Sequence, residues 1–425
     1  MKIQLEPVRG MRDLIPPDSE GIKILVEKFE KIARAYGYSY ISPPTVELFS
    51  LFAMKSGPEI SRSMYVFSDK AGREVCLRPE FTASVARMYL KHFRAEPKPI
   101  KVFYVGNAFR YEEPQFARYR EFIQAGIEYI GDESIYSDIE QLLMIRDYYS
   151  EIGLYDYAIK MGSVGVIRSL LRQWSVPDKV QDHIMHLMDK KMVDEVKNVL
   201  KTYENADLDL FEDIVTFRTE KPEELESWVN RMNINDQVKE QVLRLCRVLK
   251  IIKDVGMKRV YVDMGFARGL AYYTGFIFEI ETPSINVSIG GGGRYDGLIE
   301  LYGGPKTPAT GFSLGIDRTY LALKELGIVI KRDLDRLMLI SLIEDVKYVD
   351  KIATRLRNEG LIVNARFVSG VKLGDVLSVA SKKGYDYVGI VGEKEMRENK
   401  VTIKNLKTKV QKLIDVDAIG VGELP

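Results

Sequence analysis

Residues 109 to 131 read FRYEEPQFARYREFIQAGIEYIG, two strand-like patterns flanking a loop that carries Arg118 and Arg120. With period two, Lys101 to Glu112 sets Phe103, Val105, Phe109 and Tyr111 on one face, with Tyr104, Gly106, Ala108, Arg110 and Glu112 on the other. The first face is apolar apart from Asn107. The second mixes small and charged side chains, which leaves room for a ligand and then grips it. Beyond the loop, Ile123, Ala125, Ile127 and Tyr129 are expected inward, while Phe122, Gln124, Gly126 and Glu128 share the opposite face. An antiparallel register with 110 opposite 124 makes the polar faces coincide and sends Arg110, Gln124 and Glu128 into one site. An amphipathic hairpin with a solvated polar face fits the same alternation, so other segments must decide.

Upstream, Arg9 to Pro17 (RGMRDLIPP) reads as a loop, and Asp18 to Ala35 repeats apolar residues at helical spacing before Gly37. A short strand over 38–41 runs into Pro43 and Pro44. A second, over 75–78, ends at Pro79 and precedes a helix from Phe81, with Glu80 and Thr82 near its start. A carboxylate there also serves simply as a favourable charge on the helix macrodipole, worth about 0.3 to 1 kcal/mol. Downstream, residues 166–255 turn mostly helical, rich in Lys and Glu, and interrupt the strand patterns, which resume over 260–264 and 272–281.

Four glycines, Gly290 to Gly293, precede Arg294, Tyr295 and Asp296, so backbone can approach a flat ligand there; a turn or bulge is the plainer reading of such a run. In GFSLGIDR, Gly311, Ser313 and Gly315 keep a strand surface low, and a helix starting near Gly315 delivers Arg318. Neither segment matches GxGxxG or GxxxxGK[ST], which sets aside the dinucleotide and P-loop readings.

At 425 residues and 46% hydrophobic, the chain has material for two or three packed domains. A formal charge of +1 makes any RNA contact a matter of local patches. The two cysteines, Cys76 and Cys246, have no CxxC spacing, and the histidines are His92, His183 and His186, so neither a disulfide framework nor a metal site is expected. The N-terminus lacks the apolar segment of a signal peptide, and no apolar run is long enough to span a membrane, pointing to a cytoplasmic protein.

Arg110 in a motif-2-like hairpin, Arg318 after a small-residue strand and Pro44 at the end of a first motif resemble the class II aminoacyl-tRNA synthetases. The segments LRPEFTASVAR (77–87), RGLAYYTG (268–275) and GGGRYDGL (291–298) resemble the signatures of the histidyl-tRNA synthetase family in particular, and the resemblance spans essentially the whole chain. It implies an α/β (α+β) fold: a class II antiparallel sheet flanked by helices, with a helical insertion and a C-terminal α/β anticodon-binding domain. The implied divisions are 1–165 (motifs 1 and 2), 166–255 (insertion), 256–327 (RGLAYYTG, Gly-rich segment and motif 3) and 328–425 (anticodon-binding). The last has strand patterns over 336–342, 361–368, 385–391 and 401–403, and a basic stretch with Lys400, Lys404, Lys407, Lys409 and Lys412.

The resemblance also implies roles. Histidine would be held by Glu80, Thr82 and Gln124 at its ammonium and by Glu128, Tyr272 and Tyr273 around its imidazole, with Arg268 at its carboxylate. ATP would meet Arg110, Glu112, Phe122 and Arg318, accompanied by Mg2+, and Arg268, Arg110 and Arg318 would be the catalytic arginines. The loop residues Gln115, Arg118 and Arg120 would meet the acceptor end of tRNA(His). A homodimer through the first motif is implied as well. Three positions depart from the family pattern: Glu113 replaces a frequent arginine, Ala271 a frequent aspartate and Ile123 a frequent histidine. A synthetase-like regulatory subunit of ATP phosphoribosyltransferase shares this fold, and a class II synthetase for another amino acid is a further alternative. The retained Arg110, Arg268, Tyr273 and Arg318 and the C-terminal domain argue against the regulator.

Overall fold

The computed structural model describes residues 5–54, 63–267, 272–330, 334–368 and 372–425. Two compact units divide the chain, Met1–Ile330 and Lys331–Pro425.

The first unit is built on a nine-stranded sheet. Its strands run, in spatial order, Ser39–Tyr40, Ile100–Phe109, Glu121–Ile130, Ala309–Gly315, Ile285–Arg294, Phe276–Thr282, Ala158–Ser163, Val260–Asp263 and Arg218–Thr219. Neighbours are antiparallel except for the first pair and for Ala158–Ser163 with Val260–Asp263. A smaller sheet of Val46–Leu48, Glu74–Leu77 and Val66–Ser68 stands apart.

The central hairpin keeps the expected face-sharing in a different register. Gly106 lies opposite Gln124 and Ala108 opposite Phe122, so the pairing is displaced by four residues from the expected 110–124 alignment. The ladder ends at Phe109 and Glu121, where an eleven-residue loop takes over. Because side chains alternate with period two, a shift of four preserves which residues share a face. Phe103, Ala125 and Ile127 are accordingly buried in the main core, while Tyr104, Phe122 and Gln124 line a cavity on the other side.

The glycine run is strand interior rather than a turn. Gly290 to Gly293 pair with Leu314, Ser313, Phe312 and Gly311 on one neighbour. A Cβ at Gly292 would lie 2.2 Å from the Gly311 carbonyl oxygen, and one at Gly293 2.5 Å from that of Phe276. Protein backbone, more than any ligand, requires glycine at those two positions. The later strand pattern also begins late: the strand is Phe276–Thr282, and Tyr272 to Gly275 precede it.

Helices cover the core face. Helix Asp18–Ala35 buries Ile22, Leu25, Phe29 and Ala33 at spacings of three and four, and ends before Gly37, whose φ of 81° suits a residue without a Cβ. It packs against helices Ile135–Glu151 and Ile316–Glu325. After Ser163 the chain runs through a mostly helical segment that gives the sheet only its edge strand Arg218–Thr219, ends with helix Asp236–Asp254, and continues into Val260–Asp263, which lies between that edge strand and Ala158–Ser163. Buried residues of that segment, such as Ile184, Phe211 and Leu245, belong to one cluster with sheet residues Ile277 and Leu314.

In the second unit, strands Arg336–Ser341, Ile362–Phe367 and Tyr387–Val391 run parallel, and Lys400–Asn405 and Gln411–Asp415 extend the sheet antiparallel. The fifth of these has no counterpart among the expected strands. Helix Val346–Asn358 supplies Val349, Ile352 and Leu356 to one buried cluster, and helix Leu373–Lys382 supplies Val376 and Ala380 to another. No helix among the described residues is long and apolar enough to cross a membrane.

Candidate active site

One cavity opens on the polar side of the sheet, and most of the expected site residues line it: Glu80, Thr82, Arg110, Glu112, Arg118, Phe122, Gln124, Tyr272, Tyr273 and Arg318. Along strand Glu121–Ile130 the positions on this face come in order, Phe122 near the loop, Gln124 next, and Glu128 about 20 Å beyond Phe122 at the usual rise per residue; the first two line the cavity. The two ends differ in charge.

At the loop end, Arg318 folds back from the start of its helix. Its Nε donates to the Ala117 carbonyl at 2.9 Å and its Nη1 to that of Ser288 at 2.8 Å. Arg110 donates from Nε to the Pro79 carbonyl at 3.1 Å and stands 5.5 Å from the Phe122 ring centroid. Burial lowers the pKa of Arg318, and the Arg110 and Arg118 guanidiniums lower it further. Three cations held this close, against their mutual repulsion, make a place for a polyanion. Glu112 tempers them, with its carboxylate 3.4 Å from Arg118 Nε.

At the far end Glu128 is 1% exposed and does not itself line the cavity; Tyr104, Tyr295 and Gly311, which it touches, do. Its carboxylate accepts from the Tyr295 hydroxyl and, at 3.4 Å, from that of Tyr104. Burial first, and Glu128 second, hold both phenols well above their ordinary pKa, so they remain donors. Gly311 makes this possible: a Cβ there would sit 2.0 Å from Glu128 Oε2. Tyr104 is held from below by a stack, 4.2 Å from the Phe81 ring, with the Arg78 guanidinium 4.0 Å over Phe81 on its way to the Pro43 carbonyl.

Between the ends, Glu80 accepts from the backbone N–H groups of Thr82 at 2.5 Å and Ala83 at 3.2 Å, capping helix Thr82–Met88. The helix-dipole role and a place on the cavity wall are therefore compatible. Thr82 shares the cavity wall with Tyr104 and Tyr272. Gln124 donates to Ser313 Oγ at 3.0 Å, while its carbonyl Oε1 is buried with no partner among the described residues. A buried orphan acceptor on a cavity wall suits a ligand donor such as an ammonium.

Arg120 is buried, donating to the carbonyls of Glu112 at 3.0 Å and Arg9 at 3.3 Å, with its guanidinium 3.8 Å over the Tyr111 ring. It braces the loop, and neither it nor Gln115 lines the cavity. Glu113 is an exposed residue paired with Arg9. Ile123 contributes its backbone N–H, 2.6 Å from Asp317 Oδ2, and Asp317 also pairs with Arg12, whose guanidinium lies 3.6 Å over Tyr119. Arg268 and Ala271 lie outside the described residues.

The family sequence model described as "Histidyl-tRNA synthetase" matches residues 10–319, and one described as "Anticodon binding domain" matches 330–420. A relative from Saccharolobus islandicus named "Histidine--tRNA ligase" is 41% identical over 423 residues, 98% of each chain. The chain belongs to the histidyl-tRNA synthetase family. A second relative with the same name, from Sulfurisphaera tokodaii, is 40% identical over 96% of both chains. Among solved structures, the apo histidyl-tRNA synthetase of S. aureus aligns with a TM-score of 0.69 at 28% identity, covering 98% of each chain. One from Nostoc sp. PCC 7120 reaches 0.81 at 21% identity over 98% of each chain, a likeness of fold. A Bacillus halodurans protein described as an ATP phosphoribosyltransferase regulatory subunit/histidyl-tRNA synthetase aligns at 0.75 with 21% identity, over 90% of this chain and 97% of its own, and likewise speaks to fold alone.

Several residues in and around the cavity were not singled out for a role from sequence, among them Tyr104, Tyr295 and Asp317, which line it, and Arg12, which pairs with Asp317. Tyr104 was on the ligand-facing side of the alternation and Tyr295 stood in GGGRYDGL, so both had a signal. The Arg12–Asp317 pair joins residues 305 apart and had none.

Proposed function

We propose that this chain is a histidine–tRNA ligase that forms histidyl-adenylate from histidine and ATP and then charges tRNA(His). The observation that carries the reading is one cavity with a cluster of arginines near the hairpin loop and, behind the Tyr104 and Tyr295 of its far wall, a buried carboxylate that accepts from both tyrosine hydroxyls.

Imidazole carries two ring nitrogens, and Glu128 and Tyr273 offer an acceptor for the N–H and a hydroxyl for the other nitrogen. The ammonium meets Gln124 Oε1 and the carboxylate of Glu80, with Thr82 and Tyr272 fixing the wall. The ATP phosphates bind Arg110 and Arg318, and the adenine stacks on Phe122 with Glu112 at its edge. A histidine carboxylate oxygen attacks the α-phosphorus, the bond to the bridging oxygen breaks, and pyrophosphate leaves. Arg268, carried over from the RGLAYYTG match, stabilises the charge that grows on the α-phosphate. Mg2+ enters with the nucleotide as part of the substrate, neutralising phosphate oxygens. In the second step a hydroxyl of the terminal tRNA ribose attacks the acyl carbon and AMP departs.

Gln115 and Arg118 meet the acceptor end, and Arg120 acts there by holding the loop in shape. Residues 328–425 bind the anticodon region, helped by the lysines of 400–412, and 166–255 form the helical insertion. A homodimer is supported by exposed apolar side chains near the first motif, Tyr40, Val46, Leu48 and Phe67. The protein works in the cytoplasm, where translation takes place. Incubation with labelled histidine, MgATP and tRNA(His) is expected to give ATP-dependent, acid-precipitable label. Absence of charging with an active tRNA preparation overturns the proposal.

A further inference from the structure

Behind the cavity wall lies a polar cluster that the reaction does not use. Asp138, in the first turn of helix Ile135–Glu151, is completely buried. Its carboxylate takes Arg294 Nη2 at 2.9 Å and Arg244 Nη2 at 3.0 Å. The same two arginines also receive three consecutive backbone carbonyls. Arg294 donates to those of Asp132 and Ser134, each at 3.0 Å, and Arg244 to that of Glu133 at 2.8 Å. This short loop directly follows the strand that carries Gln124 and Glu128.

The cluster reaches the other wall of the cavity as well. The Arg294 carbonyl accepts from the Thr274 N–H at 2.8 Å, and the Thr274 hydroxyl accepts from the Asp296 N–H at 3.0 Å. Thr274 immediately follows Tyr272 and Tyr273. Arg244 belongs to helix Asp236–Asp254, the last of the helical segment. A second contact of that helix points the same way: a Cβ at Gly165 would meet Gln241 Oε1 at 2.8 Å and the Thr274 carbonyl at 3.2 Å.

We infer that Arg244 is a positioning residue for the amino-acid pocket, seating the helical segment on Asp138 and thereby fixing Arg294, Thr274 and the tyrosine pair. Burial gives the link its strength. Arg294 Nη1 also faces Asp296 at 3.4 Å, so two carboxylates share two guanidiniums; without Arg244 one guanidinium must serve both in a low-dielectric interior, and the loop and the Thr274 anchor must readjust. The ATP end of the cavity is held by separate contacts, Arg318 on Ala117 and Ser288 and Arg110 on Pro79. The effect is therefore selective for the amino acid. Arg244 is partly exposed, 27% by side chain, so its replacement is compatible with folding.

This inference rests on the histidine-activating reading, and the test separates the two. Histidine-dependent pyrophosphate exchange into ATP is measured for the full-length wild type, Arg244→Gln and Arg244→Lys, titrating histidine and ATP in turn. Arg168→Gln, which removes a different ion pair inside the helical segment (Arg168 to Asp182), is the control. Arg244→Gln is expected to raise the histidine KM about fivefold, within the range of couplings carried by packed polar networks, with the ATP KM unchanged, partial recovery in Arg244→Lys and no shift in Arg168→Gln. An unchanged histidine KM in Arg244→Gln, or equal rises in both KM values, overturns the inference. Absence of exchange in the wild type instead overturns the underlying reading.

Discussion

Glu128 shows how one residue concentrates a specificity. Its carboxylate is buried among the hydroxyls of Tyr295 and Tyr104, so the charge there favours an amino acid whose ring offers an N–H over one that does not. Glu128→Gln keeps the shape and removes the charge. It is expected to lower kcat/KM for histidine by about tenfold or more, in line with hydrogen bonds to charged groups, while leaving the ATP KM in place; steady-state exchange kinetics check this. Much at this scale was legible, because Arg110, Gln124 and Glu128 share one parity in an alternating strand. Arg120 shares neither their setting nor their freedom: it looks like Arg118 in sequence, but folds under the loop onto two carbonyls. Side-chain direction inside a loop has no period to read, which is why the two arginines could not be told apart.

The strand elements set the spaces those residues occupy. Strand Ala309–Gly315 crosses beside Glu121–Ile130 with Gly311 opposite Glu128, and the absent side chain is the room that the Glu128 carboxylate fills. Gly311→Ala would also bring a Cβ within 2.5 Å of the Ile127 carbonyl, which a rotamer change cannot relieve. The variant is expected to lose about 1 to 3 kcal/mol of stability from overpacking and to activate histidine poorly, measured by denaturant unfolding and by exchange. Wild-type behaviour in both would contradict this account of the glycine. The hairpin register differs by four residues from the 110–124 alignment that served as the example, while the shared polar face is as expected. Hydrophobic alternation determines parity but not alignment, and the long loop from Arg110 to Arg120 supplied no tight turn to fix it. The turn or bulge reading of the glycine run fails for a related reason: its neighbours across the sheet come from distant parts of the chain, and only they reveal that it is strand interior, with Gly290 and Gly291 on the cavity wall as a close ligand approach requires.

At the scale of the whole molecule, the cavity lies entirely within Met1–Ile330, while the match to anticodon-binding domains lies in 330–420. On the proposed reading, histidine activation and recognition of the anticodon region fall to different units. Removal of residues 331–425 is expected to spare histidine-dependent exchange and to weaken charging of tRNA(His), seen as a raised KM for tRNA; equal charging by the shortened chain would contradict an RNA-binding role for that unit. The order of segments along the chain made this division readable from sequence, since each signature stretch lies where the family has it. The shared core of the helical segment and the sheet was not readable, because it depends on contacts among apolar residues with no distinguishing pattern. The central claim is that the buried carboxylate and the arginine cluster together activate histidine and no other amino acid. Pyrophosphate exchange into ATP, run with each of the twenty amino acids in turn, tests it most directly. Exchange with histidine alone is the result predicted; exchange with none would point to the regulatory relatives of this fold, and exchange with a different amino acid would contradict the reading of Glu128.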